Sequence, residues 1–362
     1  MARIHNFNAG PAALPLPVLE RAQREFVDFE GTGMSILEHS HRGKAYDGVH
    51  NEAIALLREL MGISDDYHVL FIQGGASLQF CMLPMNLVPK GGSGDYVLTG
   101  TWAKKALQEA ERLGVGRLAG TSEKDGVYPR IPKQADLDLD PKAAYVHITT
   151  NNTIAGTQYH DFPDTGSVPL VADMSSDIMW RPIDVSKFGM LYAGAQKNIG
   201  PSGVAVVVVR KDLVDGARTD LPNFLRYSTF ASKNSLYNTA NTFAIYMIRN
   251  VCAYLKELGG LGKVEENNRA KGKLLYDMIE GNPGFYKCPI ELESRSYMNV
   301  VFRLPSEDLE KKFIADGLEA GLNGLKGHRS VGGCRASIYN AVPMAAVEAL
   351  VKFMGEFQKA NS

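Results

Sequence analysis

Short apolar segments alternate with helical patterns between residues 67 and 210 of this 362-residue chain. The apolar runs at residues 67–72, 95–99, 144–149 and 168–173 are each followed by polar or glycine-containing residues. Strands that alternate with helices in this way predict a mainly parallel, doubly wound α/β sheet. Ligands bind beyond the carboxyl ends of the strands in such sheets, so we expect a functional site in the turns that follow these runs.

Residues 192–203, with the sequence YAGAQKNIGPSG, lie between an apolar run at 189–194 and a β-branched run at 204–210. This pattern predicts a strand, an irregular loop and a second strand, with Lys197 at the entrance of the loop. A lysine held there among small residues can lose water, which lowers the pKa of its amine toward neutrality. Such an amine can form a Schiff base with a carbonyl. Taken alone, however, a lysine is more often an exposed surface residue.

Asp173 favours a functional role for Lys197 over that of an exposed surface lysine, because it ends another predicted strand, at residues 168–173. Strand ends of one sheet meet at one edge, so Asp173 and Lys197 are expected to project into the same crevice. A carboxylate for a pyridinium nitrogen and a lysine for an aldehyde are what pyridoxal phosphate (PLP) requires. The sequence therefore indicates Lys197 and Asp173 as candidate catalytic residues and PLP as the candidate cofactor.

A glycine turn at residues 73–77 (QGGAS) separates a predicted strand from a predicted helix. Free backbone N–H groups and the helix dipole make such a junction suitable for a phosphate, to which Ser77 could add a hydroxyl group. An ordinary tight turn between a strand and a helix explains the same residues.

Two further strand ends carry candidate residues with open alternatives. Trp102 follows the run at 95–99 and could either stack on a pyridine ring or anchor its helix to the sheet. Thr153 follows the run at 144–149 and could either bind a ring substituent or cap a turn.

Basic residues cluster in two predicted loops, at residues 39–43 and 325–335. Arginine binds carboxylates and phosphates through two parallel hydrogen bonds, so these loops could bind an anionic substrate. The first loop is more simply explained as a solvated corner, and a hairpin with exposed cations explains the second. The spacing of His39 and His41 could also suggest a metal, but nothing nearby completes a ligand set, and we predict no metal site.

Composition narrows the function classes. The formal net charge is −1, which favours neither nucleic acid nor a membrane surface as a partner. The four cysteines are far apart, the start of the chain shows no signal-peptide pattern, and no apolar run is long enough to cross a membrane. We therefore expect a cytoplasmic protein.

The chain is long enough for two domains. Residues 1–16 are rich in proline and glycine and are predicted to form an extended N-terminal arm. A glycine-rich break at 259–262 is the expected boundary between a large cofactor-binding α/β domain, 17–258, and a small C-terminal α+β domain, 259–362.

Three motifs together resemble the phosphoserine aminotransferases, which are PLP-dependent class-V aminotransferases with the aspartate-aminotransferase fold. They are residues 40–43 (SHRG), 193–201 (AGAQKNIGP) and 327–340 (GHRSVGGCRASIYN), and the similarity covers essentially the whole chain. The resemblance implies fold type I, with a mainly parallel seven-stranded sheet in the large domain and a small C-terminal α+β domain.

The resemblance also implies a role for each candidate residue. Lys197 would form the Schiff base, Asp173 would pair with the pyridine nitrogen, Trp102 would stack on the ring, and Thr153 would lie near the ring hydroxyl. The cofactor phosphate would be held by Ala76, Ser77 and Gln196, and from the partner subunit of a homodimer by Asn238 and Thr239. The substrate site would consist of His41, Arg42, His328, Arg329 and Arg335.

The implied reaction transfers the amino group of L-glutamate to 3-phosphohydroxypyruvate, which gives O-phospho-L-serine and 2-oxoglutarate in serine biosynthesis. A related step of pyridoxine biosynthesis stays open, as do another PLP-dependent reaction and the non-catalytic binding of phosphorylated metabolites. Some relatives carry an arginine at the position of Ser77. In this chain the cofactor phosphate would therefore depend more on backbone N–H groups and the helix dipole.

Overall fold

The computed structural model describes residues 3–362, so residues 1 and 2 of the predicted arm lie outside the described residues. The α-helices in this range are α1 Leu16–Glu25, α2 Lys44–Met61, α3 Gly75–Leu87, α4 Thr101–Arg112, α5 Lys211–Asp215, α6 Tyr227–Ser232, α7 Thr242–Glu257, α8 Gly260–Glu280, α9 Glu307–Glu319 and α10 Met344–Asn361. The strands are β1 His5–Asn6, β2 Tyr67–Ile72, β3 Gly94–Leu98, β4 Gly116–Thr121, β5 Val146–Thr149, β6 Leu170–Asp173, β7 Met190–Gly194, β8 Ala205–Arg210, β9 Asn299–Phe302, β10 Leu322–Asn323 and β11 Cys334–Ser337.

Seven of these strands form the central sheet, in the order β2-β8-β7-β6-β5-β3-β4. Strand β8 runs antiparallel to both of its neighbours, and every other pair in this sheet is parallel. Strand β8 is antiparallel to β7 because only a short loop joins them, and a parallel pair would need a longer crossover connection. The predicted fold class, a mainly parallel seven-stranded sheet, is confirmed.

Helices cover both faces of this sheet. Successive valines of β8 point to opposite faces, with Val206 in one hydrophobic core and Val207 in the other. The first core includes Leu57 of α2 and Ile248 of α7, and the second includes residues of α3 and α4 such as Leu107. Because both faces are covered, β3, β5, β6 and β7 are buried along their whole length, as is usual for parallel sheets.

A separate core forms in the C-terminal part, around the antiparallel pair β9 and β11 and the helices α9 and α10. Phe7 is fully buried in this core, and β1 pairs in parallel with β10. The predicted arm therefore packs on the C-terminal part of the chain.

Helix α8 contributes to two cores. Leu261 and Val264 near its start pack with the large core, whereas Leu275 and Ile279 near its end pack with the C-terminal core. The division at residue 259 stays a prediction. Within residues 3–362, no helix combines the length and apolar character needed to cross a membrane.

Candidate active site

A cavity of about 500 Å³ opens at the carboxyl edge of the parallel strands. It lies where the segments after β5, β6 and β7 meet the first turns of α3 and α4. Seven of the predicted cofactor-binding residues line it, namely Ala76, Ser77, Trp102, Thr153, Asp173, Gln196 and Lys197. His328 and Arg335 of the C-terminal part complete its wall.

Lys197 extends from the loop between β7 and β8, and its Nζ donates a hydrogen bond to Oγ1 of Thr153 at 2.6 Å. Burial lowers the pKa of this amine to about 8, and the positive charge of Arg335 acts in the same direction. The carboxylates of Asp173 and Asp177 oppose this shift. A larger share of the amine is therefore neutral near physiological pH than for an exposed lysine, which is the state needed for attack on a carbonyl.

The N-terminal segment covers the stem of this lysine. Residues 9–11 line the cavity, and the backbone N–H of Ala12 donates to the carbonyl oxygen of Gln196 at 2.9 Å. Gly10 has φ +151, and a Cβ there would lie 3.2 Å from Cγ of Lys197. Both the backbone conformation and the close approach favour glycine at this position.

Asp173 is the last residue of β6 and is only 4% exposed. Its Oδ1 accepts hydrogen bonds from the backbone N–H of Ser175 at 2.9 Å and from Oγ of Ser175 at 2.5 Å. That Oγ in turn accepts from the N–H of Gly194 at 3.0 Å, which ties the carboxylate to the end of β7. Burial raises the pKa of Asp173, whereas Ser175 and the charge of Lys197 act in the opposite direction. The carboxylate is thus held in one orientation at the cavity wall.

The first turn of α3 provides backbone donors. Gly74 and Gly75 have φ +88 and +60, a left-handed conformation that glycine adopts without strain. No side chain of residues 3–362 caps this helix, so its first N–H groups remain free to bind a ligand. Ala76 and Ser77 follow at once and line the cavity, which places the positive end of the helix dipole there.

Trp102 lies in the first turn of α4, opposite the lysine. The Nζ atom of Lys197 is 5.4 Å from the centre of its ring. Its indole N–H is buried and has no hydrogen-bond partner among the described residues. Both roles expected for Trp102 stay open, since the ring borders the cavity and also packs against the hydrophobic core that contains residues of α4.

Arg335 reaches the cavity from β11, and its Nη1 donates to the carbonyl oxygen of Thr153 at 3.1 Å. Its Nε is buried and has no partner among residues 3–362. Burial lowers the pKa of this guanidinium. A half-buried arginine without a carboxylate partner is well suited to an anionic ligand.

The other predicted residues do not line this cavity of the single chain. They are His41, Arg42, Arg329, Asn238 and Thr239. Arg42 and Arg329 are exposed, and Nε2 of His41 is buried with no partner among the described residues. The carbonyl oxygen of Thr239 accepts a hydrogen bond from Gln73 at 2.9 Å, which places this loop beside the turn before α3.

Two parts of the site were not predicted from the sequence. Ser175 orients Asp173, and a serine two residues after a strand-end aspartate is a recognisable turn signal. Residues 9–11 were predicted as an extended arm without a role in the site, and no local signal in them indicates a contact with Lys197.

The residues present fit PLP. An amine of lowered pKa, a fixed carboxylate, an aromatic ring and an uncapped helix N-terminus surround one cavity. These are the partners needed by an aldehyde, a pyridine nitrogen, a ring face and a phosphate. Within the described range, no three His, Cys, Asp or Glu side chains form a group that could hold a metal ion.

Comparisons with known proteins agree with this geometry. Residues 4–350 match the family model for class-V aminotransferases. The chain is 58% identical over 360 residues to a phosphoserine aminotransferase of Desulfatibacillum aliphaticivorans, with 99% of each chain covered.

Two solved structures are also similar along the full chain. A phosphoserine aminotransferase from Bacillus circulans subsp. alkalophilus is 56% identical, with a TM-score of 0.97 and 99% of each chain covered. A PLP-bound phosphoserine aminotransferase from Trichomonas vaginalis is 40% identical, with a TM-score of 0.93, and the match covers 98% of this chain and all of that one. The predicted resemblance and fold are confirmed. The chain belongs to the class-V aminotransferase family.

Proposed function

We propose that the protein is a PLP-dependent transaminase that acts as a phosphoserine aminotransferase. It transfers the amino group of L-glutamate to 3-phosphohydroxypyruvate and yields O-phospho-L-serine and 2-oxoglutarate. The observation that carries this proposal is that Lys197 and Asp173 border one cavity beside the uncapped start of α3. The phosphoserine aminotransferases that share 58% and 56% of its residues support the choice of substrates.

The cofactor would be held by the residues that line the cavity. Lys197 would bind its aldehyde, Asp173 its ring nitrogen, Trp102 a ring face and Thr153 the ring hydroxyl, since all four residues line the cavity. The phosphate would take the backbone donors of the first turn of α3 together with Ala76, Ser77 and Gln196. Asn238 and Thr239 of the partner subunit would complete its binding site. When bound, the cofactor supplies the aldehyde and the electron-accepting ring on which amino-group transfer depends.

The proton transfers belong to the chain's own residues. After the substrate amine has displaced it from the cofactor aldehyde, the neutral Nζ atom of Lys197 would take the α-proton of the bound amino acid and pass it to the cofactor. In the second half-reaction it would return a proton to the α-carbon of the amino acid product. The hydrogen bond to Thr153 positions this nitrogen. The carboxylate of Asp173, fixed by Ser175, keeps a proton on the ring nitrogen.

Two sets of cations would bind the substrates. Arg335 pairs with the α-carboxylate, because its buried Nε has no other partner among the described residues. His328 and Arg329, with His41 and Arg42 of the partner subunit, bind the substrate phosphate, which carries a charge of about −1.5 to −2. Glutamate presents its γ-carboxylate to the same cations in the other half-reaction. The phosphorylated threonine-like acid of pyridoxine biosynthesis would suit them too.

A homodimer with shared active sites would complete this arrangement. Five exposed apolar residues lie in the segment 16–37, namely Leu16, Phe26, Val27, Met34 and Leu37. Exposed apolar residues concentrated in one segment are typical of an interface. The four cysteines are unpaired, which supports a cytoplasmic location.

The pH dependence of cofactor capture tests the role of Lys197. The apo-protein should take up PLP at a rate that rises about tenfold per pH unit and levels off above the lysine's pKa of about 8, because only the neutral amine attacks the aldehyde. Growth of the yellow absorption band measures this rate. Lys197→Ala should show no stoichiometric band, and the exposed-lysine control Lys187→Ala should behave as wild type. A levelling-off near 10.5, the ordinary lysine value, would contradict the assignment.

Substrate discrimination tests the proposed reaction. In a coupled assay with glutamate, 3-phosphohydroxypyruvate should be a far better acceptor than unphosphorylated hydroxypyruvate. Arg329→Ala should lower kcat/KM for the phosphorylated acceptor by about 10- to 100-fold, the cost of one charged hydrogen bond, and leave hydroxypyruvate nearly unchanged. Lys326→Ala is the matched control, since this exposed lysine lies in the same loop. Equal losses with both acceptors would contradict phosphate recognition.

Mixed dimers test the shared site. Lys197→Ala and Arg42→Ala proteins should each be nearly inactive, but refolding them together in equal amounts should restore about a quarter of wild-type activity. Half of randomly paired dimers are mixed, and each mixed dimer has one site in which both residues are intact. Activity that stays at the level of the separate variants would show that Arg42 serves the site of its own chain.

A further inference from the structure

We propose that Asn198 is a positioning residue for Lys197 and that it couples the lysine's loop to the segment that follows Arg335. This inference rests on the proposed function, because it assigns a role to the neighbour of the cofactor-binding lysine. Asn198 is only 6% exposed. Its Nδ2 donates to the carbonyl oxygen of Ile178 at 2.6 Å, and its Oδ1 accepts from the backbone N–H of Asn340 at 3.0 Å.

Two other asparagines extend this contact. Nδ2 of Asn340 donates to the carbonyl oxygen of Met179 at 2.9 Å, and its Oδ1 accepts from Asn268 at 2.8 Å. Asn268 also donates to the carbonyl oxygen of Trp180 at 3.1 Å. Three consecutive carbonyl groups, at residues 178–180, are therefore each bound by a different asparagine. We call Asn198, Asn268 and Asn340 the asparagine cluster.

The cluster joins three segments that each carry a residue of the site. Residues 178–180 lie in the turn region after Asp173, Asn198 follows Lys197 directly, and Asn340 lies five positions after Arg335. Met179 has φ +58, which is strained for a residue with a side chain. Such a conformation persists only where the surroundings fix it, and the hydrogen bonds of the cluster surround this position.

A buried lysine fixes the third segment from the other side. Nζ of Lys271, in α8, donates to the carbonyl oxygens of Ile338 at 3.0 Å, Tyr339 at 2.7 Å and Val342 at 3.0 Å. The hydroxyl of Tyr339 donates to the carbonyl oxygen of Ala9, in the segment that covers Lys197. The segment 338–342 therefore has little freedom to move relative to the cluster.

Loss of the cluster should change the pKa of Lys197 and not only the stability of the fold. If Asn198 no longer fixes the loop, water reaches the amine of Lys197, and the effect of burial on its pKa becomes smaller. The charged groups that face this amine, Asp173, Asp177 and Arg335, are unchanged by the substitution. The pKa should therefore move upward, and the position of Arg335 relative to Lys197 should become less defined.

The experiment compares Asn198→Ala with Asn86→Ala. Asn86 is 1% exposed and hydrogen-bonds the carbonyl oxygens of Met82 and Leu225 and the backbone N–H of Tyr227, outside the cavity. Both variants should lower the melting temperature to a similar extent. Only Asn198→Ala should raise the pH midpoint of PLP capture by apo-protein, by about one unit, and raise KM for glutamate, by about tenfold.

Equal changes in melting temperature with an unchanged midpoint and an unchanged KM in Asn198→Ala would overturn the inference, since Asn198 would then serve the fold alone. If Asn198→Ala does not fold, Asn198→Ser gives the same test, because the shorter serine hydroxyl cannot bond both the carbonyl oxygen of Ile178 and the backbone N–H of Asn340. It should shift both quantities in the same direction, and no shift would again overturn the inference. A wild-type protein that captured no PLP would instead contradict the proposed function.

Discussion

The site depends on keeping the amine of Lys197 out of water without a carboxylate bonded to it. Its hydrogen bond goes to the neutral hydroxyl of Thr153, while the carboxylate of Asp173 is engaged by Ser175. Removing a charge from water without pairing it is costly, so the neutral amine is favoured and its pKa falls. The fold holds both residues in place despite this cost, because they extend from the carboxyl ends of the buried parallel strands β6 and β7.

Much of this arrangement could be predicted from the sequence because the signals are local. The apolar run that ends at Asp173 forms β6, and the run before Lys197 forms β7. The two strands pair in parallel, so their carboxyl ends lie side by side as expected. Strand β4, Gly116–Thr121, was not predicted, since it lies at the edge of the sheet and contains glycine and arginine in place of a β-branched run. The contacts of Gly10 with Lys197 and of Asn340 with Asn198 join residues far apart in the chain, and no periodicity indicates such pairs.

The five predicted residues outside the cavity illustrate a different limit. A sequence motif can identify a family without indicating to which subunit's active site its residues contribute. Asn238 and Thr239 were expected to act from a partner subunit, and they do not line the cavity of the single chain. Their role in a partner's site stays a prediction. Arg42 and Arg329 are exposed cations, and exposure alone does not distinguish a solvated corner from half of a shared substrate site.

Chemical trapping of the cofactor shows which lysine forms the Schiff base. Borohydride converts a Schiff base between PLP and a lysine into a stable secondary amine, which peptide mass mapping then locates. We expect a single adduct per chain, on the peptide that contains Lys197, and loss of the yellow colour on reduction. An adduct on another lysine, such as the buried Lys271, or no adduct in a protein that retains the cofactor, would show that Lys197 is not the residue that binds the cofactor.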